Sequence, residues 1–264
     1  MNRTRSALAA MLLAVVIPAQ SGGQQPANRA EYDKLVAEWT AAGKAYSAAQ
    51  KELIASEAYK AAVAAKDNEK LTSLRASVTR PDAKAFGERA LQLADQFAGD
   101  EGLDFLAFAA TSFAEASVQK GVLERAQKNY LKNKRLGDVI ENAMMLSRFA
   151  GQDETRAFFD QVIAENPHAM PRAWAMYWEA QDIQRNKKAS DEDKSKAEKL
   201  LAEATKLSTG TELGDRIAAP TFEKERLQIG MEVPNIVGED LDGAAFELKD
   251  YLGKVVVLDF WGFW

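Results

Sequence analysis

The chain has 264 residues, 47% of them hydrophobic and 28% charged, and a formal net charge of −5. That length suits one large domain or two smaller ones, and so mild and dispersed an acidity argues against a nucleic-acid surface, which is strongly basic. With no cysteine and a single histidine, structural disulfides are excluded and zinc or haem sites all but excluded. No metal or cofactor is expected, and helix packing has to hold the fold.

Residues 1–23 read as a secretory signal. Arg3 and Arg5 make a charged start, Ala7 to Ile17 an apolar core, and Pro18-Ala-Gln-Ser-Gly-Gly23 a small-residue exit. The apolar core is shorter than the roughly 20 residues a bilayer span needs, so no membrane span is expected after cleavage. The expected location is secreted or periplasmic.

Gln24 to Asn28 reads as a polar tether that leads into a helical hairpin over 24–80. Tyr32, Leu35, Trp39, Ala42, Tyr46, Ala49 and Leu53 recur with spacing three then four, a heptad seam on a helix capped by Asn28. Tyr59, Val63, Leu71 and Leu74 supply the facing stripe on a second helix.

The next region, 81–228, reads as helices near 83–98, 101–117, 119–132, 136–150, 153–165 and 170–187. Alternate helices then recur at about 34 residues, the spacing of tetratricopeptide-like α-hairpins. Two stripes are assigned to the core, Leu106, Ala109, Ala110, Phe113 and Val139, Ile140, Ala143, Met144, as are Trp174, Tyr177 and Trp178. Asn166-Pro167 marks a helix junction, because proline cannot continue a helix interior. His168 beside it is read as a capping or solvated side chain, since no acid or ligand clusters with it in the sequence. Lys187 to Lys199 alternates lysine with acids, a solvated face with i,i+4 pairs. Ser208-Thr-Gly-Thr211 breaks the helix. A last helix near 212–226, carrying Ile217, Phe222 and Leu227, is expected to dock the C-terminal segment onto the helical array.

In 229–264, Asp242-Gly243 tolerates the positive φ of a hairpin turn between two short extended runs. Val255 to Phe260 is a β-branched apolar run with the look of a strand buried on both faces. Gly230-Met-Glu-Val-Pro-Asn, Asp240-Leu-Asp-Gly243, Leu248-Lys-Asp-Tyr-Leu-Gly-Lys254 and Val257-Leu-Asp-Phe-Trp-Gly-Phe-Trp264 resemble the opening of a redoxin domain. The family meant is the thioredoxin-like oxidoreductases of the TlpA/ResA and AhpC/TSA kind. The resemblance implies that a Cys-x-x-Cys comes directly after Trp264. It also implies that Asp259 is the buried acid that takes a proton during exchange, burial raising its pKa, and that Trp261 and Trp264 flank the dithiol. A selenocysteine in the first position, its UGA codon read as stop, is one account of where the sequence ends; a contig that breaks off there, or a product designed to omit the active site, is another. Asn166-Pro-His168 and Arg172-Ala-Trp-Ala175 are similar to the helical region that precedes the redoxin domain in some exported redoxins.

The expected fold class is therefore mainly α: a helical hairpin, a TPR-like α-hairpin array, and an incomplete thioredoxin-like α/β start with a β-hairpin and one buried strand. The expected function is an exported thiol-disulfide oxidoreductase whose dithiol or selenol-thiol is missing from this chain. Its partners would be thiol or disulfide proteins or peroxide, with the helical region as binding module. The alternative is a non-catalytic helical scaffold that binds protein in the cell envelope. A chain without the nucleophile is expected to be inactive, and the tail from about 229 to be the protease-labile part.

Overall fold

The computed structural model describes residues 27–97, 99–240 and 242–259; the residues read as a signal and most of those read as a tether lie outside the described ones. The chain divides into two compact units at Pro220 and Thr221. The fold is mainly α.

In the larger unit, α1 (Ala27–Ala55) carries the heptad seam as expected, with Leu35 buried and the other six positions half-buried. Asn28 does not cap it. The helix has already begun at Ala27, and Asn28 lies buried in its first turn. The facing helix is two helices, α2 (Glu57–Ala64) and α3 (Asn68–Ala76), separated where Lys66 takes a φ of 55°. Both have side-chain caps: Ser56 Oγ accepts from Tyr59 N at 3.2 Å and Asp67 Oδ1 from Lys70 N at 2.9 Å. The break rotates the stripe, so Ala62 and Leu71 are buried while Val63 faces solvent.

Nine further helices come next among the described residues: α4 (Ala83–Gln96), α5 (Asp100–Ser112), α6 (Ala116–Asn129), α7 (Gly137–Ile140), α8 (Ala143–Phe149), α9 (Gln152–Glu165), α10 (Ala169–Arg185), α11 (Asp191–Leu207) and α12 (Glu212–Arg226). The 3.6-residue period placed all of them except α11, read only from the alternating charges of 187–199, and the pair α7 and α8, read as one helix over 136–150. The chain leaves helical geometry at Asn142 (φ −110°, ψ 37°), and Trp178 Nε1 donates to the Glu141 carbonyl at 3.2 Å. A tertiary donor thus satisfies a carbonyl at the break. In consequence Met144, assigned to the core stripe, is 53% exposed, while Val139, Ile140 and Ala143 are fully buried.

The core lies around α5. Phe105 meets Tyr32 edge to face at 5.6 Å and stacks on Phe97 at 5.4 Å. Phe113 meets Trp39 at 4.9 Å and Phe108 at 5.3 Å, so α1 is fastened to α5 through aromatic rings. Gln119 of α6 is fully buried, and its Nε2 donates to the Ala109, Ala110 and Phe113 carbonyls at the end of α5. These carbonyls have no intrahelical partner there. Gln119→Ala is expected to cost about 2 kcal/mol, the penalty for buried acceptors left bare; urea unfolding followed by circular dichroism measures it.

Several side-chain bonds between helices or the loops beside them span about one repeat length. Asn133 Nδ2 donates to Asp100 Oδ1, Asn166 Nδ2 to the Leu131 and Asn133 carbonyls, and Ser147 Oγ to Asp182 Oδ2, at separations of 33 to 35 residues. Asn166, next to Pro167, is thus a buried clamp that holds the loop after α6. Downstream, α11 begins with a capping box of Ser190 and Asp193. Its charges do not form the expected i,i+4 ladder: Lys194 pairs with Asp191 at i,i+3, and Lys196 reaches across to Glu179 of α10. Gly210 (φ 74°) turns the chain into α12. Of the docking residues expected on α12, Ile217 packs against the core, but Phe222 and Leu227 are 47% and 52% exposed.

In the smaller unit, β1 (Val237–Glu239) and β2 (Ala245–Glu247) pair antiparallel, with Gly238 opposite Phe246. Val255–Asp259 is not a buried strand. It belongs to no sheet, and Val255 and Val257 are 96% and 86% exposed. A strand needs a neighbour for its N–H and C=O groups, and among the described residues the only two strands pair with each other.

Candidate functional site

The residues that carry the redoxin-like motifs fasten the smaller unit together. Asp240 Oδ1 accepts from the amides of Asp242 and Ala244, both at 2.9 Å, while Asp240 N donates to the Ala244 carbonyl and Gly243 N to the Asp240 carbonyl. Gly243 sits at φ 79°, where a Cβ would be strained. Asp242 and Ala244 are therefore both tied to the Asp240 carboxylate, and the connection is longer than a two-residue turn.

Asn235 performs the matching task at the other end of the hairpin. Its Nδ2 donates to Glu247 Oε2 at 2.7 Å and its Oδ1 accepts from Lys249 N at 3.0 Å. Glu247 in turn forms a capping box with Asp250 and an ion pair with Lys249 at 2.5 Å. This starts a 3-10 helix, Leu248–Tyr251, which Gly253 (φ 82°) ends. Asn235 and Glu247 were not singled out from the sequence; the only signal was that Asn235 ends one motif and Glu247 directly precedes another. Asp240→Ala is expected to cost the hairpin about 1 kcal/mol, as loss of a capping carboxylate does, read as faster hydrogen exchange at Asp242 and Ala244.

Asp259, the expected proton acceptor, is exposed at the end of the extended segment. Among the described residues no second sheet layer covers Val255–Asp259. Trp261 and Trp264 lie outside the described residues. His168 is exposed ahead of α10, and its backbone N–H donates to Asn166 Oδ1.

An open groove of about 450 Å³ runs between α6 and α9, lined by Glu124, Gln127, Lys128, Leu131, Gln161 and Glu165. On another face Arg216 lies 5.1 Å over the Trp174 ring and pairs with Glu212 at 3.2 Å. Partial burial, and then the Glu212 charge, raise the pKa of Glu141 despite the opposing pull of Arg216. A carboxyl with a folded pKa above its unfolded value destabilises the fold progressively as pH rises through that window, and fully above it. Glu141→Gln is therefore expected to raise the melting temperature at pH 7 and to leave it unchanged below pH 4. The gain should stay within about 0.5 kcal/mol for so solvated a group.

Among the described residues no helix is long and apolar enough to cross a membrane. No protein-family model matches the chain, and no solved structure matches it. Short local matches do exist, to proteins named thiol-disulfide oxidoreductase ResA. That of Bacillus thuringiensis (strain Al Hakam) is 57% identical over 42 residues, 16% of this chain and 24% of its own length. That of Geobacillus thermodenitrificans is 45% identical over 53 residues, 20% and 30% of the two chains. That of Bacillus subtilis (strain 168) is 49% identical over 41 residues, 16% and 23%. The chain spans about a quarter of the length of the curated relatives it matches, and this likeness supports a thioredoxin-like redoxin segment.

Proposed function

We propose that residues 229–264 open a thioredoxin-type redoxin domain, and that the protein serves thiol-disulfide exchange outside the cytoplasm, with the helical unit as partner- or substrate-binding module. The observation that carries this reading is the 57% identity to a thiol-disulfide oxidoreductase over 42 residues. We assign that match to the C-terminal motifs. The Asp240 loop, the Asn235 clamp and the turn at Gly253 support it, because Asn235, Asp240 and Gly253 each have a structural task.

The exchange itself requires a thiolate that attacks one sulfur of a disulfide, forms the mixed disulfide, and expels the other sulfur as thiolate; a second thiol then resolves the intermediate. A selenolate can take the first role. Residues 1–264 include no cysteine, so the nucleophile of this reading belongs to Cys-x-x-Cys or selenocysteine-x-x-Cys beyond Trp264. In that setting Asp259 takes a proton once a completed sheet covers it, and Trp261 and Trp264 wall the dithiol. Residues 1–23 act as the export signal.

A non-catalytic scaffold is the second reading. It is favoured by the groove between α6 and α9 and by helix-joining bonds one repeat apart, which suit a TPR-like array.

The test is reductive cleavage of insulin disulfides by two purified proteins: the 264-residue chain, and the chain extended by its downstream codons with UGA decoded as selenocysteine. The short chain should give only the background rate and the extended one a turnover abolished by replacing its first Cys or selenocysteine. Downstream codons with neither motif, or an extended protein that is inert, would overturn the redoxin reading and leave the scaffold.

A further inference from the structure

α12 is one helix with two different environments. Its first half is seated: Leu213 is fully buried, Ile217 packs on the core, and Arg216 is held over Trp174 while paired with Glu212. Gly214 lies so close to the Ser208 carbonyl that a Cβ would collide with it. From Ala218 onward every residue to Gly230 is exposed. Between the two halves stands Pro220, inside the helix. Proline has no N–H for the Arg216 carbonyl, its ring crowds that carbonyl, and it disfavours helical geometry at Ala219. The boundary of the compact units falls at the same peptide bond, between Pro220 and Thr221.

We infer that α12 is a built-in hinge: the half before Pro220 is a fixed anchor, and the half from Thr221 to Arg226 opens as a separate, low-stability segment. Two independent features coincide at this point, the loss of buried contacts and the missing backbone donor. Together they place opening at a defined bond, since local opening tracks sparse burial and exposed backbone hydrogen bonds. This inference does not depend on the redoxin reading, because it concerns only α12 and its seat.

The experiment is hydrogen exchange by mass spectrometry on the full chain, with trypsin cleavage at Lys224 and Arg226 as a second readout. Amides of 221–226 should exchange at least a hundredfold faster than those of 213–217. Pro220→Ala restores the donor at an exposed position. It should slow exchange at 221–226 at least tenfold and slow cleavage at Lys224 and Arg226 in parallel, without changing 213–217. Leu213→Ala, which unseats the anchor, should raise exchange at 213–217 and leave 221–226 as it is. Equal protection of the two halves in the unaltered chain, or no response of 221–226 to Pro220→Ala, would overturn the hinge.

Discussion

Replacing Phe105 with alanine is expected to cost about 3–5 kcal/mol, the range for truncating a fully buried aromatic. The ring is completely enclosed, and it is the point where α1, through Tyr32, and the segment after α4, through Phe97, meet α5. The loss has two parts: the apolar area returned to water on unfolding is smaller, and the cavity left behind is lined by rings that cannot all collapse into it. Equilibrium unfolding in urea, followed by far-ultraviolet circular dichroism, should show a lower midpoint with an unchanged slope. Phe222→Ala is the matched control. That ring is already 47% exposed, and its loss should stay within about 0.5 kcal/mol. Equal effects at the two positions would mean that the aromatic cluster at α5 is not the core.

The second large effect is expected at Lys196. The Glu179 carboxylate is 1% exposed, and Lys196 Nζ lies 2.5 Å from its Oε1, while the lysine stem remains half in solvent. Lys196→Met leaves a buried carboxylate with no cation and should cost about 3 kcal/mol, the lower end for a broken buried pair. The double variant Glu179→Met with Lys196→Met removes the unpaired charge as well and should recover most of that loss, since apolar replacement of a buried pair is often neutral. The contact with Glu179, the largest influence on it, raises the pKa of Lys196 above the ordinary lysine range. Stability from a lysine with a raised folded pKa is fully present below its unfolded pKa and is lost only as pH climbs through the folded one. Between pH 6 and 9 the lysine's own contribution should therefore be flat. A penalty that disappears at high salt would instead mark the pair as surface-screened.

Much of the helical unit was legible because the signals are local. An apolar residue every three or four positions defines a helix and its inward face together, so α4, α5, α6, α9, α10 and α12 fell where their periods put them. Asp242-Gly243 likewise announced the hairpin, since positive φ at Gly243 is a property of that residue and its neighbours. The candidate site was legible only as motif. Its fasteners, Asn235 and Glu247, stand twelve residues apart, and nothing in either residue type announces the partner.

What the amino-acid sequence determined by itself is thus the set of helices, the seam of α1, the hairpin, and the redoxin-like order of motifs after Gly230. Tertiary structure alone decided where 136–150 breaks, that Met144 turns outward, that Lys196 serves a buried acid on another helix, and that only the first half of α12 is seated. It also decided that Val255–Asp259 stays an unpaired extended segment with Asp259 in solvent. The reason is common to all of these. Helix and turn propensities are satisfied within a few residues, whereas the burial of a carboxylate, the seating of half a helix and the pairing of a strand each depend on groups brought from elsewhere in the chain.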